Sequence, residues 1–328
     1  MSLDDIGAAF SNSLSLSSLY ILTALGLAIT FGVMRVINMA HGEMLMLGAY
    51  SAHVVSFLAP KWLHALALSQ EAPWLADMAE HLREYGLYYA IPISFLVVGL
   101  VGYLLEIGLI RFLYGRPLDT LLATWGVSLI IQQAVLITFG ANLQETHLPH
   151  ALQGGVAIGE VTLPIYRLFI VGITGLCLLA VYLWFYKTSF GLQIRAVVQN
   201  RPMASALGVS TRRIDSLTFA FATGLAGVAG CILANVYNVK YTMGSDYIVE
   251  AFMVVILGGL GRLGGSVAAG ALIGFGICFV EKALPKGGDS VILSAPATVA
   301  KMIVLAAVLV FLLIRPSGLF VTKERTYD

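Results

Sequence analysis

Three polar side chains interrupt an otherwise apolar stretch near the N-terminus, in VINMAHGEMLMLGAY from Val36 to Tyr50: Asn38, His41 and Glu43. An ionisable group at membrane depth is costly to hold, so a carboxylate there is a site candidate by default, on a solute path or a proton path. Two bland alternatives remain open: Glu43 paired with Arg35, or Glu43 serving the dipole of a helix that begins at Met44. His41-Gly42-Glu43 also matches the H-x-E of zinc deaminases, but the P-C-x-x-C which that chemistry requires is absent. No HExxH, GxSxG or GxxxxGK[ST] occurs, so metalloprotease, serine-hydrolase and P-loop chemistry find no footing in the chain. Cys177, Cys231 and Cys278 stand singly in apolar runs, which excludes a CxxC metal or redox motif.

A second interruption follows much later, Gly258-Gly259-Leu260-Gly261-Arg262-Leu263-Gly264-Gly265. Broken helices in both halves of a membrane chain point to a translocation route, because unwound backbone is tolerated only against protein or a water-filled cavity. Gly258, Gly259 and Gly261 therefore join Asn38, His41 and Glu43 as candidate pathway residues.

The elements that must position these groups are spans. The chain has 328 residues, 59% hydrophobic and only 11% charged, against roughly 25% charged in soluble domains. It reads as a single all-α polytopic membrane domain, residues 1–328, of about 8–10 transmembrane helices with interrupted or hairpin helices and a cytoplasmic coupling helix. At about 20 apolar residues per crossing, the candidate spans are Leu14–Val36, Met44–Ala59, Tyr88–Ile110, Leu118–Phe139, Ile165–Tyr186, Ser216–Val239 and Ala297–Ile314. The stretch Tyr247–Ala283 is a hairpin of two shorter helices, giving nine crossings. The outer loops are then Pro60–Leu87, partly helical, and Gly140–Pro164, with short strands. A net charge of +1 without basic, aromatic-interleaved patches gives no reason to expect nucleic acid.

Orientation rests on the loop from Lys187 to Asp215, which sets Lys187, Arg195, Arg201, Arg212 and Arg213 against Asp215. Lys and Arg beside spans stay inside, so this loop is cytoplasmic; Arg111, Arg116, Arg262, Arg315, Lys323 and Arg325 fit the same side, with the N-terminus outside. The loop reads as two short helices. One runs from about Leu192 to Gln199; Asn200 caps the other, with Pro202 in its first turn and Gly208 as its stop after Leu207. Ala196, Ala204 and Ala206 on its surface suit docking against another protein.

Three segments, Ala24–Tyr50, Gly191–Val209 and Phe252–Gly274, together resemble the permease subunits of bacterial ABC importers for branched-chain amino acids and related small polar solutes. That resemblance implies a multi-pass inner-membrane protein that is not itself an enzyme. It implies a second homologous permease, two ATP-binding cassette subunits, and a periplasmic substrate-binding protein as partners, with lipid around the spans. No cofactor is expected on this chain, ATP and Mg²⁺ being used by the cassette subunits. Arg195, Asn200, Ala204, Leu207 and Gly208 match the coupling-loop pattern that seats on the cassette. Glu43 after His-Gly looks most like the urea-transport branch, with branched-chain amino acids or short amides as the alternative solutes. Two other classes stay in view: an ion-coupled transporter using Glu43 and Glu106, and a passive urea channel.

Overall fold

In a computed structural model, which describes residues 3–34, 36–70, 72–158, 161–284 and 296–320, helices dominate. They are α1 (Leu3–Met34), α2 (His41–His53) running through a π-turn (Val54–Leu58) into α3 (Ala59–Gln70), α4 (Pro73–Gly108), α5 (Pro117–Phe139), α6 (Ile165–Lys187), α7 (Ser189–Gln199), α8 (Arg201–Ala206), α9 (Thr211–Leu233), α10 (Met243–Gly258), α11 (Leu263–Ala283) and α12 (Pro296–Ile314). Among the described residues, seven helices are long and apolar enough to cross a membrane: α1, α4, α5, α6, α9, α11 and α12. The short helices α2 and α10 do not meet that measure, so seven spanning helices stand against the nine crossings expected.

Glycine decides which helices form the centre. Lipid gives no hydrophobic drive between helices, so association depends on close backbone approach. On α9, Gly224 lies against Phe95, Gly227 against Ser94 and Val98 of α4, and Gly230 against Leu45 of α2. Gly48 of α2 rests on the backbone of Gly227, and Gly26 of α1 on the carbonyl of Ala222. On α11, Gly270 and Gly274 meet Ile21 and Ser17 of α1. The result is a core of α1, α2, α4, α9 and α10. In contrast α5, α6 and α12 bury one narrow stripe each and turn residues such as Ile137, Leu176 and Leu313 outward.

Three boundaries differ markedly from the hydropathy reading, the first being α1, which starts at Leu3 and not at the expected Leu14. The expected outer loop Pro60–Leu87 is almost wholly helical: α3 and the first half of α4 form a hairpin beyond the bundle. Pro73 opens α4 in its first turn, where its missing N–H costs nothing. The span expected at Ser216–Val239 is α9, which starts at Thr211 and ends at Leu233, so its charged first turn belongs to the helix. Between α5 and α6 the chain forms an antiparallel two-stranded hairpin, β1 (Gly155–Ile158) and β2 (Val161–Pro164), as expected for that loop.

Five of the basic groups used for orientation line two cavities at one end of the bundle. Arg195 and Arg262 line one cavity there with Gly32, and Arg111, Arg201 and Arg212 line another. Arg35, Lys323 and Arg325 lie outside the described residues.

The α2–α9 crossing gives a direct test. Gly48→Ala should destabilise the protein by about 1–3 kcal/mol, the usual cost of overpacking, because the new methyl meets the Gly227 backbone. Gly126→Ala, facing open space on α5, should not. Thermal unfolding of both variants in detergent measures the difference, and equal stability would contradict the crossing.

Candidate functional site: a polar seam between α2 and α5, and the elbow below it

The chain after α1 turns back. Residues 36–40 are non-helical, and α2 opens beside Gly26 and Ala222, near the middle of the apolar span Phe10–Met34 and of α9. The contact of His41 with Gly26 sets the start of α2 eight helical residues, about 12 Å of rise, back from the end of α1 at Met34. Asn38, His41 and Glu43 therefore stand half-way through the bundle. They lie deeper than the inner end of α1.

The second half-helix meets the first there. Gly42 packs on the backbone of Gly244, so the N-termini of α2 and α10 face each other. Each carries a partial positive charge, and Glu43 sits in the first turn of α2 between them. Its Oε1 accepts from Ser128 Oγ on α5 at 3.0 Å and from Ser245 Oγ on α10 at 3.5 Å. Its Oε2 faces Gly244 and has no hydrogen-bond partner. Pairing with Arg35 lies outside the described residues. The helix does not begin at Met44 but at His41, and the first-turn role of Glu43 persists.

Asn38 closes a tight turn: its Oδ1 accepts from Ala40 N at 3.0 Å, while its Nδ2 is buried and unpartnered. Met39 N donates to Thr124 Oγ1 of α5 at 3.1 Å. His41 is fully buried, and neither ring nitrogen makes a hydrogen bond.

Sequence reasoning missed the rest of this seam. Glu43, Tyr50 and His53 are spaced seven and three apart, which puts them on one face of α2. On α5 the buried residues are Thr120, Thr124, Ser128 and Val135, so a ladder of hydroxyls faces inward while leucines and isoleucines face out. Tyr50 stacks near Phe139, its hydroxyl unpartnered, and His53 Nδ1 lies 2.5 Å from the Glu145 carbonyl in the outer loop. Buried polar groups in proteins are nearly always satisfied. Here Asn38 Nδ2, both His41 nitrogens, Glu43 Oε2, Tyr50 OH and His53 Nε2 are buried without a hydrogen-bond partner among the described residues. The inward period of four on α5 was the sequence signal that could have found it.

Gly258, Gly259 and Gly261 are not brought to this seam. They form the α10–α11 turn at the far end of α10, about 24 Å away along the helix. Gly259 and Gly261 adopt φ of +96° and +82°, a region that favours glycine, and Gly261 contacts Gly32 at the basic end. The interruption that pairs with residues 36–40 in depth is instead the chain from Ala234 to Thr242, before α10.

Below the seam the basic loop forms an elbow. Thr188 caps α7 by accepting from Gly191 N at 3.0 Å, which starts that helix at Ser189, before the expected Leu192. Asn200 caps α8 by accepting from Met203 N at 3.0 Å, and Gly208 ends the turn at φ +86°. Arg195 donates to the Phe185 carbonyl. Ala204 is not on the surface: it is buried against the core, and Ala196 is half-buried. The exposed apolar residues are Leu192, Val198, Met203 and Leu207.

An ionic strap ties the elbow to the spans. Arg201 of α8 pairs with Asp215 of α9, itself buried, and lies over the Tyr114 ring at 5.2 Å. Tyr114 OH donates to Glu106 Oε1 of α4 at 3.2 Å, and Arg111 donates to Glu106 Oε2 at 3.3 Å. Glu106 is thus a structural anchor in this arrangement. At the opposite end, α3, α4 and the outer loop enclose a cavity of about 1160 Å³ that includes His64, His81, His147 and His150. Burial first, then the charges of Arg83 and His150, holds the His147 ring below the usual imidazole pKa.

Asp215→Asn should release the elbow, removing hydrogen bonds to a charged group worth about 1.5–3 kcal/mol before discounting for the half-exposed Arg201. Hydrogen exchange should then speed up in α8 while the middle of α9 stays protected. Unchanged exchange in α8 would remove the strap from its role.

Comparison with known proteins agrees with this architecture. Residues 9–315 match the family model for the permease component of the branched-chain amino acid transport system. The chain is 28% identical over 277 residues to the high-affinity branched-chain amino acid permease BraD of Pseudomonas aeruginosa, covering 82% of this chain and 84% of that one. It is 29% identical over 274 residues to LivH of Escherichia coli K12, covering 80% and 82%. A probable LivH of Methanocaldococcus jannaschii is 26% identical over 321 residues, covering 92% and 89%. No solved structure matches the chain.

Proposed function

The chain belongs to the family of branched-chain amino acid transport permease components, and on that premise we propose that it is the urea-passing permease subunit of an ATP-driven importer. It is a multi-pass protein of the inner membrane and a transport subunit, not an enzyme. In the proposed assembly it pairs with a second homologous permease. Two ATP-binding cassette subunits dock on the elbow, and a periplasmic binding protein delivers solute at the outer end.

The observation that carries the solute class is the half-depth cluster. Glu43 Oε2 offers an acceptor, Asn38 Nδ2 a donor, and His41 both kinds, with no Lys or Arg among the described partners of Glu43. A small neutral molecule with N–H donors and one carbonyl, such as urea or a short amide, can exchange hydrogen bonds with each in turn. Such contacts suit a route, where solute must leave as readily as it enters. The seam is closed at this depth, since Asn38, His41 and Glu43 are all buried. In this reading solute passes when α5 and α2 part.

Branched-chain amino acids are the second reading, favoured by what the relatives' names say they transport and by the two helix N-termini, which suit a solute carboxylate. Ion coupling through Glu43 and Glu106 is disfavoured because Glu106 is held by Arg111, Ser216 and Tyr114 at the elbow's strap. A passive channel would leave the elbow's exposed Leu207 and Met203 without a partner.

Reconstituting the permease pair with its cassette subunits in liposomes, with binding protein and solute outside, tests the reading. ATP-dependent uptake of labelled urea is expected, and uptake of leucine in its place would select the second reading. Glu43→Gln should leave assembly intact and cut uptake about tenfold, the loss expected when a charged hydrogen-bond acceptor worth about 1.5 kcal/mol is replaced. Unaltered uptake would remove Glu43 from the route. Leu207→Glu should abolish co-purification of the cassette subunit while the permease still inserts; retained co-purification would place the docking surface elsewhere.

A further inference from the structure

At the basic end of the bundle, between the end of α4 and the start of α9, lies a cavity of about 470 Å³ lined by Arg111, Phe112, Tyr114, Arg201, Thr211 and Arg212. Three guanidinium groups border one space. Two of them already have carboxylate partners, Arg111 with Glu106 and Arg201 with Asp215, and both carboxylates are buried behind the cavity wall. Arg212 is exposed and has no ion-pair partner among the described residues. Nε of Arg111 is buried without an acceptor. The cavity thus carries at least one positive charge uncompensated among the described residues.

Backbone adds to this. Thr211 is the first residue of the 23-residue helix α9, and the Ser210 side chain does not cap it. The first-turn N–H groups of a helix have no intrahelical acceptor, and its dipole favours an anion there. Guanidinium forks match phosphate oxygens in geometry as well as charge. A route for an acyl chain lies alongside: Phe112 and Leu118 are 74% and 75% exposed at the same end of the bundle. Basic pockets at the cytoplasmic ends of spans are suited to anionic headgroups for these reasons.

We propose that this cavity binds the phosphate of an anionic phospholipid, with Arg212, Arg111 and the N-terminus of α9 as its donors. The site is distinct from the solute seam and needs neither the solute assignment nor the cassette subunits. Because Arg201 of α8 and Arg111 after α4 share its wall, a bound headgroup would brace the elbow against both α4 and α9. A soluble phosphate would use the same donors, and the experiment separates the two.

The purified full chain in a non-ionic detergent is titrated separately with dioctanoyl phosphatidylglycerol, dioctanoylglycerol and inorganic phosphate while thermal unfolding is followed. Phosphatidylglycerol should raise the midpoint saturably, and dioctanoylglycerol should not. In Arg212→Gln the half-saturating concentration should rise about tenfold, with Arg212→Lys in between; Arg212 has no ion-pair partner among the described residues, so both variants should fold. A shift with inorganic phosphate equal to that with the lipid would keep the phosphate site and assign it to a soluble anion. Equal shifts with dioctanoylglycerol and phosphatidylglycerol, no shift with either phosphate source, or an undiminished response in Arg212→Gln would each overturn the proposal.

Discussion

A carboxylate half-way through a bilayer-spanning bundle is the constraint on which the rest of this structure depends. Glu43 cannot be placed there by an uninterrupted helix at acceptable cost, since an isolated buried charge is severely penalised. The chain answers by breaking two helices and aiming both N-termini at the same point, so that their dipoles and two serine hydroxyls surround the carboxylate. Everything central follows from making room for that meeting. Gly42 and Gly244 let the two half-helices touch; Gly48, Gly227 and Gly230 let α2 lie flat on α9. The glycine content is thus a consequence of the polar centre as much as of lipid packing.

The same economy governs the periphery. α5 is as apolar as its neighbours by composition, yet what it buries is mostly hydroxyl, at Thr120, Thr124 and Ser128. Lipid accepts leucine and isoleucine at no cost, so the polar stripe is the part that must be hidden. At a seam between a firmly packed helix and a lightly packed, hydroxyl-lined one, few apolar contacts oppose separation. Local opening follows low contact density.

How much of this was legible in sequence depends on what each signal measures. Hydropathy sees long apolar runs, and it placed α5, α6 and α12 nearly to the residue. Cap chemistry is local, so Asn200 and Gly208 announced α8 correctly. Depth is not local. Nothing in INMAH distinguishes an interfacial loop from a strand that climbs back into the bundle, because the difference lies in what α9 and α10 place beside it. The hairpin of α3 and α4 was legible only as a partly helical loop, since polar residues outside the membrane lower hydropathy without breaking a helix. Ala204 shows the same limit at one residue: a six-residue helix has too little periodicity to reveal which face meets the core.

The two ends of the molecule are joined by α9, and that sets how a push at the elbow can reach the seam. Its first turns hold Asp215 and Ser216, which tie Arg201 of the elbow and Glu106 of α4 to one helix. Its middle, at Ala222, touches Gly26 beside His41, and its last turns carry Gly227 and Gly230 against α2. Close-packed backbones with no side chains between them cannot absorb a displacement by changing rotamers. A shift of α8 therefore has to be met by movement of α9 as a body, and α2 must follow or lose its contact at Gly48. α5 hydrogen-bonds to this segment through hydroxyls, Thr124 with Met39 N just before α2 and Ser128 with Glu43, and its hold on α2 is weaker than that of α9. The strap, the glycine crossing and the hydroxyl seam are in this sense one mechanical path, stiff where backbones touch and weak at the face where solute would pass.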